Sequence, residues 1–166
     1  MKIKIDLRNI SEKQKILDKY ILERNNLKEN EEIFDKKIIA LFVELGEFAN
    51  ELKFFKYWSK KEKSADEIIL DEFVDIIHFL ISIANNLNYN DWKLEISTEN
   101  KKIELIFLEI INLITILQKN KDKKILKEII TKVLEIGIIY NFKIEKIFDS
   151  YQLKNEINFV RQNTNY

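Results

Sequence analysis

The chain has 166 residues, of which 46% are hydrophobic and 34% charged, which excludes a disordered or fibrous protein. Lys and Arg together number 28, as do Asp and Glu, so the net charge is zero and a nucleic-acid-binding surface is not expected. Cys is absent, which excludes disulfides and thiolate metal ligands and leaves oxygen ligands or the one histidine, His78. This length predicts one domain over residues 1–166.

The N-terminal stretch MKIKIDLRNISEKQ is charged throughout and lacks the apolar centre of a signal peptide. The longest apolar runs fall far short of the ~18 residues that a membrane span needs. The sequence therefore predicts a soluble, cytoplasmic protein with no membrane partner.

Proline is absent and only two glycines occur, a composition that favours long helices. Ser11–Gln14 is interpreted as a capping box that begins the first helix, which ends in a polar loop at 25–30. Apolar residues every three or four positions predict a second helix over Glu31–Phe55. Ser64–Glu67 has the pattern of a second capping box, and the third helix that it begins extends to about Leu87.

Three more helices are predicted in the second half of the chain. They cover about Thr98–Gln118, Lys124–Tyr140 and Phe142–Gln162. Apart from a possible extended segment at the N-terminal MKIKIDL, no strand is predicted. The expected fold is an all-α helical bundle of about six helices. The apolar residues of the fourth helix, which include Ile106 and Ile110, suit either the core or a dimer interface.

Two pairs of carboxylates are spaced three residues apart in the predicted helices. Glu44 and Glu47 lie on one face of the second helix, and Glu72 and Asp75 on one face of the third. A solvated acidic face is the commoner explanation for any single pair of this kind. Glu51, one turn after Glu47, is interpreted as an additional ligand or a neighbour of the ligands.

The absence of cations around these pairs argues for a metal site. Ala40–Glu51 and Ser64–Trp92 contain no Lys or Arg, although 28 of 166 residues are of these types. Half-buried carboxylates without cationic partners repel one another, and a divalent cation would relieve the repulsion. Oxygen ligands suit Mg²⁺, with Mn²⁺ as the other candidate. Gly46, in the middle of the helix, is interpreted as allowing close helix packing that sets the width of the site.

The spacing of the two pairs resembles the ExxE and ExxD signature of the all-α NTP pyrophosphatase superfamily, which includes the MazG-like proteins. The flanking blocks VELGEFANE (43–51), FKYWS (55–59), DEFVDIIHF (71–79) and YQLKNEINFVRQ (151–162) are similar to the dimeric dUTPase family. The resemblance covers nearly the whole chain, from Gln14 to the end. One departure is the terminal Asn165-Tyr166, where the family often has Gly-Tyr.

The resemblance implies a homodimer that hydrolyses dUTP, and often dUDP, to dUMP with Mg²⁺. It implies that Glu44, Glu47, Glu72 and Asp75 are the metal ligands and that Glu47 also orients and deprotonates the attacking water. It further implies that Gln14 contacts uracil. The residues that match or neighbour the family's nucleoside pocket are Phe55, Lys56, Trp58, His78, Phe79 and Asn85, and those that match its C-terminal phosphate motif are Lys154, Asn158, Arg161 and Gln162.

Other interpretations of these residues stay open at this point. Gln14 could serve only the capping box, and His78 could be a satisfied core residue. Phe55 and Trp58 could be core aromatics, and the C-terminal helix could be a solvated face. The alternative functions are a pyrophosphohydrolase for dCTP or modified nucleotides and a non-catalytic helical module that binds a metal or a partner.

Overall fold

The computed structural model describes residues 2–97 and 102–164, and it confirms the predicted all-α class. Within these ranges the chain forms six helices and one two-stranded sheet. In chain order the elements are β1 (Lys2–Asp6), α1 (Arg8–Arg24), α2 (Glu31–Leu52), α3 (Asp66–Asn86), β2 (Lys93–Ser97), α4 (Ile103–Asn120), α5 (Lys123–Ile139) and α6 (Ile144–Asn163). None of the helices in the described ranges has the length and apolarity needed to cross a bilayer.

Both predicted capping boxes are wrong. The first helix begins at Arg8, so Ser11 lies inside it, fully buried, and its hydroxyl donates to Asn85 Oδ1 at 2.8 Å. The third helix has Ala65 as its N-cap, and the hydroxyl of Ser64 donates to a carboxylate of α2 instead. Each serine hydroxyl therefore bonds a side chain of another element and caps no helix.

The second helix begins and ends at residues with recognisable cap geometry. At its start the side chain of Asn30 accepts a hydrogen bond from the Ile33 N–H at 2.9 Å. It ends at Leu52, earlier than predicted, because Lys53 adopts the left-handed conformation with φ 61° that terminates many helices. Phe55 consequently lies in the loop 53–65 that joins α2 to α3, and not on the helix.

The N-terminal segment is extended, as its sequence indicated, but its partner strand was missed. β1 pairs antiparallel with β2, with Ile5 opposite Leu94. The burial of β2 alternates, with Leu94 and Ile96 buried and the residues between them exposed, which is the period of two expected of a strand on a core. The predicted start of the fourth helix at Thr98 lies outside the described residues, and the helix is seen from Ile103.

α3 is the central helix of the bundle and packs against α1, α2, α5 and α6. Its Phe73 is fully buried between the rings of Phe48 and Phe142, at centroid distances of 5.7 and 5.4 Å. A Cβ added at Gly137 of α5 would lie 2.7 Å from the Phe73 ring, so Gly137 allows a close approach of α5 to α3. An added Cβ at Gly46 would have nothing within 4 Å, and the predicted packing role of Gly46 is wrong.

The apolar face of the fourth helix belongs to the core. Ile106, Ile110 and Leu117 are fully buried and form part of one apolar cluster with residues of the other helices and β2. The exposed apolar side chains of α4 are Leu105 and Leu108. Of the two uses predicted for Ile106 and Ile110, the structure shows that of core residues.

Candidate active site

Three of the four predicted metal ligands lie close together between α2 and α3. Glu44, Glu72 and Asp75 each offer a carboxylate oxygen, and these oxygens all lie within 4.8 Å of one another. The packing of α2 along α3 and the three-residue spacing on α3 bring them together. All three side chains are half-buried. We call these residues the carboxylate cluster.

Glu47, the fourth predicted ligand, is exposed and lies outside the carboxylate cluster. It is near enough for its charge to help raise the pKa of both Glu44 and Glu72. Glu47 therefore stands at the solvent edge of the cluster. Glu51, one turn further along α2, accepts a hydrogen bond from the hydroxyl of Ser64.

The carboxylate cluster carries more negative charge than its surroundings neutralise. Burial, followed by the charges of Asp75, Glu47 and Glu72, raises the pKa of Glu44 to about 7. Burial and neighbouring carboxylates raise the pKa of Glu72 as well, and burial raises that of Asp75 despite a nearby lysine. A bound divalent cation would remove this penalty, and three oxygen donors are the ligand set that Mg²⁺ and Mn²⁺ prefer.

The expectation that no cation accompanies these carboxylates is wrong. Lys154 of α6 is buried, and its Nζ lies 2.7 Å from Asp75 Oδ2 and 2.8 Å from Asp71 Oδ2. The local sequence around the acidic pairs is indeed free of Lys and Arg, but folding brings this lysine from the far end of the chain. Glu44 and Glu72 have no such ion pair among the described residues, although the charge of Lys154 opposes the rise in the pKa of both.

A pocket of about 430 Å³ opens directly beside the carboxylate cluster. Glu44 and Asp75 form part of its wall, and the apolar part of the wall includes Leu17, Ile21 and Ile33. Pockets of this size and mixed lining are typical of small-molecule sites. A ligand in this pocket could therefore place a charged group against the cluster and an apolar or aromatic group between α1, α2 and α3.

Polar side chains form a hydrogen-bonded network at this pocket; Gln14, Asp18 and His78 line it, and the fully buried Tyr151 contacts Gln14 and His78. The Oε1 of Gln14 lies 2.7 Å from His78 Nδ1 and accepts from the Tyr151 hydroxyl at 2.5 Å, while its Nε2 donates to Asp18 Oδ1 at 2.8 Å. His78 stacks on Tyr151 with ring centroids 4.0 Å apart. Burial lowers the pKa of His78 to about 3, so its imidazole is neutral. We call Gln14, Asp18, His78 and Tyr151 the polar network.

The structure brings some of the predicted binding residues together around this pocket. Gln14, His78, Phe79, Asn158 and Arg161 all line it. An N–H of the Arg161 guanidinium donates to Asn158 Oδ1 at 3.4 Å, so the two side chains from α6 are neighbours. These residues line the same pocket as Glu44 and Asp75.

Other predicted binding residues lie away from the pocket. Phe55, Lys56 and Trp58 are in the loop 53–65, where the Trp58 side chain is 65% exposed. Asn85 is hydrogen-bonded to the hydroxyl and backbone carbonyl of Ser11. The Oε1 of Gln162 accepts from an asparagine at the end of α1. Their roles in binding stay predictions.

Asp18 and Tyr151 were not singled out from the sequence, although they are central to the polar network. Asp18 follows Gln14 by four residues and therefore lies on the same face of α1, which is the signal that could have identified it. Tyr151 precedes Lys154 by three residues on α6, but a tyrosine there has no motif of its own, and only the fold reveals that its hydroxyl contacts Gln14.

A six-helix bundle in which carboxylates from two helices meet a nucleotide-sized pocket defines an all-α protein with a candidate divalent-metal site. Among known families, the dUTPase family model matches residues 6–166. The chain therefore belongs to the dUTPase family, and its activity is that of a dUTP diphosphatase, a hydrolase of nucleotide metabolism. dUTPases typically use a divalent metal ion, which fits the donor set of the cluster. No curated protein matches the sequence.

Proposed function

We propose that this enzyme hydrolyses dUTP to dUMP and pyrophosphate with Mg²⁺, or alternatively Mn²⁺, held by Glu44, Glu72 and Asp75. Glu47 would join these ligands from the solvent edge. The observation that carries the proposal is the direct contact between the carboxylate cluster and the 430 Å³ pocket, whose wall includes Glu44 and Asp75. The metal, when bound, would neutralise charge on the phosphate oxygens.

In the proposed reaction, Glu47 accepts a proton from a water molecule that attacks the β phosphorus. A bond forms between the water oxygen and the β phosphorus, and the bond from the β phosphorus to the oxygen shared with the α phosphorus breaks, so dUMP leaves with that oxygen. The same step on dUDP would release dUMP and phosphate. Exposure of the Glu47 side chain supports its role, because a base for water must be reached by water.

Cationic side chains of α6 would contact the phosphate groups. Arg161 lines the pocket, and a guanidinium suits bidentate contacts to phosphate oxygens. Lys154, which is already next to Asp75, would add a second positive charge near the β phosphate. Asn158, beside Arg161, would donate from its amide.

The remaining parts of the proposal concern the nucleoside and the assembly. Gln14 would contact the uracil base, with His78 and Phe79 next to the base and sugar, and all three line the pocket. By the family resemblance, we propose that the whole chain acts as a single domain, that two copies form a homodimer and that the enzyme is cytoplasmic. Exposed apolar residues of α2 and α4 would suit the dimer interface; they are Ile39, Val43, Leu105 and Leu108.

A panel of nucleotides tests this function. With Mg²⁺ present, we expect kcat/KM for dUTP to exceed that for dCTP, dTTP and UTP by at least about tenfold, which corresponds to about 1.4 kcal/mol of transition-state discrimination. Pyrophosphate should be the product from dUTP and phosphate the product from dUDP. Equal rates on dUTP and dCTP, or full activity after complete removal of divalent ions, would contradict the proposal.

A further inference from the structure

The amide of Gln14 has two possible orientations, and the polar network determines which of them the pocket meets. We infer that Tyr151 and Asp18 are positioning residues that hold Gln14 with an N–H, and not its carbonyl oxygen, toward the nucleobase. In this arrangement they determine that the enzyme selects a base with a carbonyl beside a ring N–H, such as uracil, over cytosine. The inference rests on the proposed function, in which Gln14 contacts the base.

Tyr151 fixes the oxygen end of the amide. Its side chain is fully buried, and burial raises the pKa of the phenol, so the hydroxyl keeps its proton. The hydroxyl oxygen lies 2.5 Å from Gln14 Oε1 and 3.3 Å from the Ile10 carbonyl oxygen, so the shorter hydrogen bond goes to Gln14. An amide oxygen accepts such a bond, whereas an amide NH₂ cannot.

Asp18 fixes the nitrogen end of the amide. A carboxylate only accepts hydrogen bonds, so its Oδ1, 2.8 Å from Gln14 Nε2, requires the NH₂ group at that position. The reverse orientation would direct the Gln14 carbonyl at the carboxylate, leaving two acceptors face to face. In that orientation the Tyr151 hydroxyl could donate to the Ile10 carbonyl and accept from the Gln14 NH₂ group. The contact with Asp18 excludes this arrangement.

The contact with His78 is compatible with the same orientation. With the amide oriented by Tyr151 and Asp18, its oxygen lies 2.7 Å from His78 Nδ1, so the neutral imidazole donates from Nδ1. The Nε2 of His78 is then an acceptor, and it has no hydrogen-bond partner among the described residues, although His78 is only 5% exposed. His78 therefore accommodates the orientation that Tyr151 and Asp18 determine.

The resulting pattern distinguishes the two pyrimidines. The second N–H of Gln14 Nε2 is a donor, and the carboxylate of Asp18 beside it is an acceptor; both residues line the pocket. In uracil the N3–H lies between two carbonyl groups. Either carbonyl can accept from the Gln14 N–H while the N3–H donates to the Asp18 carboxylate. Cytosine has an unprotonated N3 that would meet the carboxylate with a lone pair. Sites built on such hydrogen bonds discriminate strongly, because a mismatched base leaves buried polar groups unpaired.

The test compares dUTP and dCTP as substrates of the full chain with Mg²⁺. For Tyr151→Phe and Asp18→Asn we expect the ratio of kcat/KM for dUTP to that for dCTP to fall at least tenfold, through a higher KM for dUTP. Tyr20→Phe is the matched control, because the Tyr20 hydroxyl bonds Asn163 outside the pocket, and its ratio should equal that of the wild type. A merely structural role would reduce activity on both nucleotides equally and leave the ratio unchanged.

The outcomes distinguish a failure of the inference from a failure of the proposed function. A wild type that does not prefer dUTP contradicts the proposed function. A wild type that prefers dUTP, with both variants keeping its ratio within about twofold, overturns the inference alone. If the variants do not fold, NMR of the ¹⁵N-labelled wild type decides: NOEs from the Gln14 side-chain amide protons to the Asp18 β protons support the inference, whereas NOEs to the Tyr151 ring in their place overturn it.

Discussion

Replacing Glu47 by Gln is expected to lower kcat for dUTP by about 10²–10⁴-fold, the usual contribution of a general base. The amide keeps the shape of the side chain but cannot accept a proton from water. The fold should not suffer, because Glu47 is exposed, and loss of its charge relieves repulsion with Glu44 and Glu72. The measurements are kcat at saturating dUTP and the thermal unfolding midpoint, which should stay equal or rise.

Glu32→Gln is the matched control for this variant. Glu32 lies on the same helix, is exposed and pairs with Lys36 at 2.6 Å, away from the pocket. Its kcat should equal that of the wild type. If Glu47→Gln retained a kcat within about threefold of the wild type, Glu47 would not be the base.

The two glycines are expected to respond in opposite ways to the same substitution. Gly137→Leu should lower the free energy of unfolding by about 3 kcal/mol, the upper part of the range for overpacked cores, because even a Cβ would lie 2.7 Å from the buried Phe73 ring. Gly46→Leu should raise it by about 0.5–1 kcal/mol, because the position is open and Leu is the better helix former. Urea unfolding of the three proteins measures both effects. A loss of stability at Gly46 equal to that at Gly137 would contradict the packing described for α3 and α5.

The helical part of the fold could be predicted because apolar residues recur at helical spacing along most of the chain. The ends of the helices were less predictable. Ser11 and Ser64 stand in sequence patterns typical of N-caps, and yet their hydroxyls bond to other elements. β2 was missed because it is short, with only two buried positions, Leu94 and Ile96. In each case a contact distant in sequence decides the structure.

In the candidate site, too, some features could be predicted from local sequence and others depend on distant contacts. The three-residue spacing of Glu72 and Asp75 follows from helix geometry, so these carboxylates could be predicted to lie together. The ion pair of Lys154 with Asp75 could not, because 79 positions separate the two residues and no local pattern links them. The orientation of Gln14 depends on contacts with Asp18 on its own helix and with Tyr151 on α6, and only the first has a sequence signal.

Binding of Mg²⁺ to the carboxylate cluster is the central claim, and calorimetric titration tests it most directly. The protein would be saturated with α,β-imido-dUTP, an analogue that lacks the bridging oxygen at which we propose cleavage, and titrated with Mg²⁺. We predict binding to the wild type and at least a tenfold higher Kd in Glu72→Gln, with Glu32→Gln unchanged. An unchanged Kd in Glu72→Gln would contradict the assignment of the metal site.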